Sequence, residues 1–110
     1  MTAISTLPGL GPAMESSFIK VGIPDAETLR DLGTDAAYER LLRDGLRPHF
    51  IPYYVIEMAL QGRAWNDCRG QEKADLRIRF DRIKARVAEG RDIHRDAFEA
   101  MMDAIGVIER

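Results

Sequence analysis

The residues able to do chemistry are few and scattered. His49 and His94 lie far apart in the chain, and neither sits at a metal-ligand spacing. Cys68 is the single cysteine, so it forms no intramolecular disulfide and no paired thiol motif. "DIHRD" places Asp92 and Asp96 one turn apart on a helix, with His94 on another side, which suits capping and solvation. No Ser/His/Asp order stands out. There is no phosphate-cradling loop of the longer nucleotide-binding types. Without a convergent acid, base and nucleophile, the chain reads as a non-enzyme that needs neither cofactor nor metal.

Binding chemistry is better represented. "LPGLGP", Leu7 to Pro12, is a tight turn of the kind that joins two helices. In a helix-hairpin-helix such a turn lets backbone N–H groups approach a DNA phosphate, aided by the positive end of the next helix. The donors would be the amides of Leu10, Gly11 and Ala13, with Lys20 as the nearest downstream cation; Pro12 offers none. Such a contact reads backbone, giving weak, sequence-independent binding. Glu15 stands where a basic residue would help, and it repels phosphate. The missing charge favours a corner that only packs two helices. DNA is the alternative partner, not the leading one.

Three other features bear on partners. Arg79, Arg82 and Arg86 share a helix face, with Lys73, Arg77 and Lys84 in a looser second group. Glu72, Asp75 and Asp81 are interleaved, so a solvated, locally paired face is the expectation, with Asp75 pairing to Arg79 at i, i+4. Near the C-terminus, Ile93, Ala97, Met101, Ile105 and Ile108 form an apolar stripe bordered by Phe98 and Met102. That stripe either folds back on the core, as a small domain favours, or pairs with a second copy in a homodimer. Trp65 reads as a partly buried anchor, with Asn66 or Asp67 bonding nearby backbone.

The totals agree with a small soluble domain. The chain has 110 residues, 45% hydrophobic and 31% charged, with a net charge of −2. Residues 1–67 carry 6 basic and 9 acidic residues and residues 68–110 carry 10 and 9, so neither part has the positive excess of a strong nucleic-acid binder. The longest apolar runs fall short of the roughly 18 residues of a membrane span. The opening residues lack a basic leader and apolar signal core, which points to the cytoplasm.

The elements that must position these residues are helices. Pro12 suits a first helical position, Met14, Phe18 and Val21 mark one buried face, and Gly22 closes the helix. Asp25 caps a second helix carrying Leu29 and Leu32 to Gly33. Thr34 caps a third with Tyr38, Leu41 and Leu42 inside, ending at Asp44-Gly45. "FIPYYVIEMALQG" is apolar nearly throughout, with Glu57 the interruption, and reads as a central core helix ending at Gly62. Leu76, Phe80, Ile83 and Val87 define an amphipathic helix ending at Gly90, and Asp92 caps a last one. The expectation is one compact all-α domain of five or six helices over residues 1–110.

Several stretches together carry a resemblance. They are the Gly9–Gly11 turn, "VGI" at Val21–Ile23, "TLRDLG", "AYERL" at Ala37–Leu41, and the "ALQGRAWND" ending from Ala59 to Asp67. In this order and spacing, residues 5–80 resemble the C-terminal domain of TfoX-type (Sxy) proteins, bacterial regulators of competence for DNA transformation. The resemblance implies a helix-hairpin-helix-like, sterile-alpha-motif-like start, no catalytic residues and no cofactor. Regulators of the family place another domain first, so the expectation here is a stand-alone version. Residues 81–110 fall outside the pattern as a helical extension. The resemblance thus implies a regulatory module that acts through helical contacts with a protein partner.

Overall fold

A computed structural model of the chain describes the backbone of residues 1–104 and the side chains of residues 1–89. Its α-helices are α1 (Pro12–Lys20), α2 (Ala26–Arg43), α3 (Phe50–Leu60) and α4 (Gly70–Ala104). Single 3-10 turns at Ile4–Thr6 and Trp65–Asp67 complete the described residues, which contain no strand.

The local signals explain the boundaries. Pro12 occupies the first turn of α1, where its missing N–H costs nothing. At the other end Gly22 takes φ 85°. The Gly22 and Ile23 amides then close onto the carbonyls of Ile19 and Phe18, and both Ile23 and Phe18 are buried. Asp25 caps α2 by accepting the Thr28 N–H at 2.8 Å.

One joint matches the sequence expectation and one differs. At Gly33 the dihedrals leave the helical region (φ 82°, ψ 165°), so α2 is two helical segments that meet at a kink there. Thr34 spends its hydroxyl on Glu57 of α3, at 2.8 Å. At Gly90 there is no end: α4 runs through it, which places Asp92 inside the helix. A glycine inside a helix costs only about 1 kcal/mol relative to alanine, a burden the long α4 tolerates.

The core forms where α2, α3 and α4 meet. Asp35 bonds Arg79 and Glu39 bonds Arg86, so α2 and α4 run in the same direction. Between them sit Tyr38, Tyr53, Phe50 and Phe80, with ring centroids 5.4–6.4 Å apart. These spacings suit tilted and edge-to-face contacts. α3 is the central helix expected of its apolar run, with Tyr53, Ile56, Met58 and Ala59 fully buried. Its outer side is not enclosed, since Ile51 is 60% exposed.

Candidate interaction site

The Leu7–Pro12 turn lies against α3. Leu7 and Leu10 are buried, while Pro8 and Gly9 face out. Gly9 has φ +77°, and a Cβ there would meet Val55 Cγ1 at 3.0 Å, with Trp65 Cβ at 4.0 Å. Only a residue without a side chain brings the turn this close to its neighbours. Trp65 is 50% exposed beside this corner, more open than a core anchor would be. Gly9, Val55 and Trp65 meet at this corner, and the exposed Ile51 lies one turn before Val55 on the same face of α3. Asp67 holds this region through Arg63: its carbonyl accepts from the guanidinium at 3.3 Å and its carboxylate lies at 3.8 Å. Arg63 in turn bonds both oxygens of Glu72 at 2.8 and 2.9 Å, tying the turn to α4.

The proposed phosphate contacts do not converge. The Leu10 N–H donates to Leu7 O at 3.2 Å and is spent inside the turn. Gly11 and Ala13 are exposed, and an added Cβ at Gly11 would meet nothing within 4 Å. Glu15 reaches back to accept the Ser5 N–H at 3.0 Å, which holds a carboxylate beside the start of α1. Lys20 stands at the opposite end of α1, roughly 10 Å along the axis from Ala13. There it pairs with Asp44 at 3.3 Å, over a cleft of about 250 Å³ lined also by Ser17 and Leu46.

The basic stripe of α4 is mostly committed elsewhere. Arg79 grips Asp35 with two nitrogens at 2.7 and 3.1 Å and approaches Glu57 at 3.4 Å. Tyr53 donates its hydroxyl to the same Asp35 carboxylate. Burial pushes the Asp35 carboxyl up, but the Arg79 and Tyr53 hydrogen bonds outweigh it, leaving it below the usual range. Arg86 holds Glu39 at 2.6 and 3.0 Å, and Arg43 takes the other oxygen at 2.7 Å. Glu39 is likewise pushed up by burial and brought below its ordinary value by these two arginines. The local pair expected between Asp75 and Arg79 does not form: Arg79 is held by Asp35 of α2, and Asp75 accepts from Gln71 at 2.8 Å. Arg82 makes no ion pair among the described residues.

Sequence reasoning missed this seam between α2 and α4. Glu57, a lone acid inside an apolar run, was the signal that a buried-side partner existed. Ile93, Ala97 and Met101 lie on the α4 backbone, with side chains outside the described set; Ile105 and Ile108 lie outside the described residues. Among the described residues no group of three His, Cys, Asp or Glu could hold a metal ion. No described helix is long and apolar enough to cross a membrane.

The family model for the TfoX C-terminal domain matches residues 1–80, which include the corner and the Asp35–Arg79 part of the seam, with Arg86 beyond them. The chain belongs to that family. No curated protein and no solved structure gives a significant match.

Proposed function

We propose that this TfoX C-terminal domain is a non-catalytic regulatory module that presents helical surfaces to a protein partner. The observation that carries this reading is the open apolar corner at Gly9, Ile51 and Trp65. Buried polar side-chain atoms among the described residues all have partners, so the chain satisfies its polar groups while leaving this surface open. A half-exposed tryptophan backed by a rigid turn is the kind of anchor that dominates protein interfaces. Family membership supports a regulatory setting, with competence as the process to examine first. A photo-crosslinking residue placed at Ile51, in cells of the source organism, should yield a discrete protein adduct. The same residue at exposed Asp31 should not, and Trp65→Ala should abolish the Ile51 adduct. Equal or absent labelling at both positions would remove the reading.

A second reading, weak binding to the DNA backbone, keeps one supporting observation. The Gly11 and Ala13 amides have no partner among the described residues and face solvent. Glu15 and the distance to Lys20 count against it. Duplex DNA titrated at about 50 and 200 mM salt against wild type and Gly11→Val tests it, since that position has room for a side chain. Binding that weakens steeply with salt and vanishes in the variant would support a phosphate grip. No binding at low salt would leave the protein-partner reading alone.

A further inference from the structure

α4 carries cations on two flanks with different neighbours. On one flank Arg79 and Arg86 are met by Asp35, Glu57 and Glu39 of the adjoining helices. On the other, Lys73, Arg77 and Lys84 fall within a sector of about 40° along about 16 Å of helix. Among the described residues no carboxylate of α2 or α3 pairs with these three, and each lies over an aromatic ring instead. Lys73 Nζ is 5.2 Å from the Tyr54 centroid, and Lys84 Nζ is 5.4 Å from that of Phe80. Arg77 Cζ stands 5.2 Å from Phe50 and 5.4 Å from Phe80. Their one acidic neighbour is Asp81 at the edge of the sector, 3.3 Å from Arg77 and 3.9 Å from Lys84. Glu57, the single charge of α3, is turned to the seam, where it meets Thr34 and Arg79. Three cations therefore face solvent against one acid.

Going round α3, the surface changes in a fixed order. Tyr53 and Glu57 face the seam, and Phe50 and Tyr54 lie under the cations. Ile51 and Val55 come about 100° further on, toward the open corner. A segment seated on Ile51 and Val55 thus has one flank beside the cations. The rings already hold those cations in place, so less side-chain freedom is lost when a carboxylate meets them. Lys73 and Arg77 stand one turn apart, about 6 Å along α4, the interval at which carboxylates recur at i, i+4 on a helix. A nucleic-acid backbone would use the cations but leave Ile51 and Trp65 uncovered, and Asp81 would repel its phosphates.

We infer that the partner of the open corner is an acidic amphipathic helix. Its apolar row covers Ile51 and Val55 beside Trp65, and carboxylates along one flank pair with Lys73, Arg77 and Lys84. This inference rests on the protein-partner reading of the corner and adds the chemistry of the partner.

The probe is a fluorescein-labelled peptide of roughly 18 residues, long enough to form a helix, with leucines in one row and glutamates on both flanks. One control peptide replaces its glutamates by lysine, and a second replaces its leucines by serine. The full chain should bind the glutamate peptide about tenfold more tightly than the lysine peptide at about 50 mM salt, with a smaller preference at about 200 mM. The net charge of −2 would by itself favour the lysine peptide, so this preference reports the local cations. Lys73→Glu with Arg77→Glu should reverse the preference, a gain that a misfolded variant does not show. Asp81→Asn should tighten the glutamate peptide about twofold. Equal affinity for the two charged peptides, lowered alike by Trp65→Ala, would overturn the acidic partner and leave the corner standing. Glutamate-peptide binding indifferent to Trp65→Ala and to the serine replacement would overturn the corner reading and this inference together. Duplex DNA that binds more tightly than the glutamate peptide and is released by the double variant would overturn it in favour of a phosphate backbone. Failure of both charged peptides to bind at millimolar concentration would also overturn it.

Discussion

The seam between α2 and α4 and the corner around Gly9 are built from opposite materials. At the seam, five charged residues and two hydroxyls close on one another, and the aromatic cluster lies directly beneath. At the corner, a turn without side-chain bulk meets α3, and large apolar side chains remain open to solvent. The seam spends its side chains on holding helices together. The corner holds its shape through backbone geometry and leaves its side chains free. Stability at the seam and the recognition proposed for the corner thereby rest on different materials within one small domain.

The comparison can be broken by weakening each face in turn. Phe80→Ala, beneath the seam, should cost about 3–5 kcal/mol in a urea titration, because it opens a cavity among three aromatic rings. Gly9→Ala should cost about 1–2 kcal/mol, through the positive φ and the approach to Val55, whereas Gly11→Ala should be near neutral. Arg79→Met should cost about 1 kcal/mol: charge-assisted hydrogen bonds are worth more when buried, but Arg79 and Asp35 are about 40% exposed and screened by water. Trp65→Ala should change stability by less than about 1 kcal/mol while removing partner capture at Ile51.

Acid sharpens the same contrast. Asp35 and Glu39 titrate below their unfolded values, so the stability they add is present above about pH 4 and is lost as pH falls through their folded values. The urea midpoint of wild type should therefore drop in that window. The double variant Arg79→Met, Arg86→Met should show a shallower drop, and an unchanged slope would mean that the seam's ion pairs are not the cause.

Much of the fold was legible because its punctuation is local. Pro12, Asp25 and Gly22 act within a turn of their own positions, and each does what its type predicts. Gly90 misled for the same reason: glycine marks many helix ends, but its intrinsic penalty is small enough for a continuous helix to pass through. The seam was illegible because its partners are 44 and 47 residues apart in sequence. A local partner for Arg79 was available at Asp75, one turn away, and only the packing of α4 beside α2 decides against it. Trp65 was placed in the right turn, yet its 50% exposure is set by tertiary packing that the local sequence does not show.

Tyr38 has a consequence for how the molecule opens. Its phenolic oxygen accepts the His49 N–H at 3.0 Å and its proton goes to the His49 carbonyl at 2.9 Å. Both main-chain groups of one loop residue are thus closed by a side chain that is itself fully buried. The amide proton of His49, although it lies outside any helix, should exchange with solvent as slowly as those of the central helices. The link between α2 and α3 would then unlock only when the core does, making these two helices a single unit of opening.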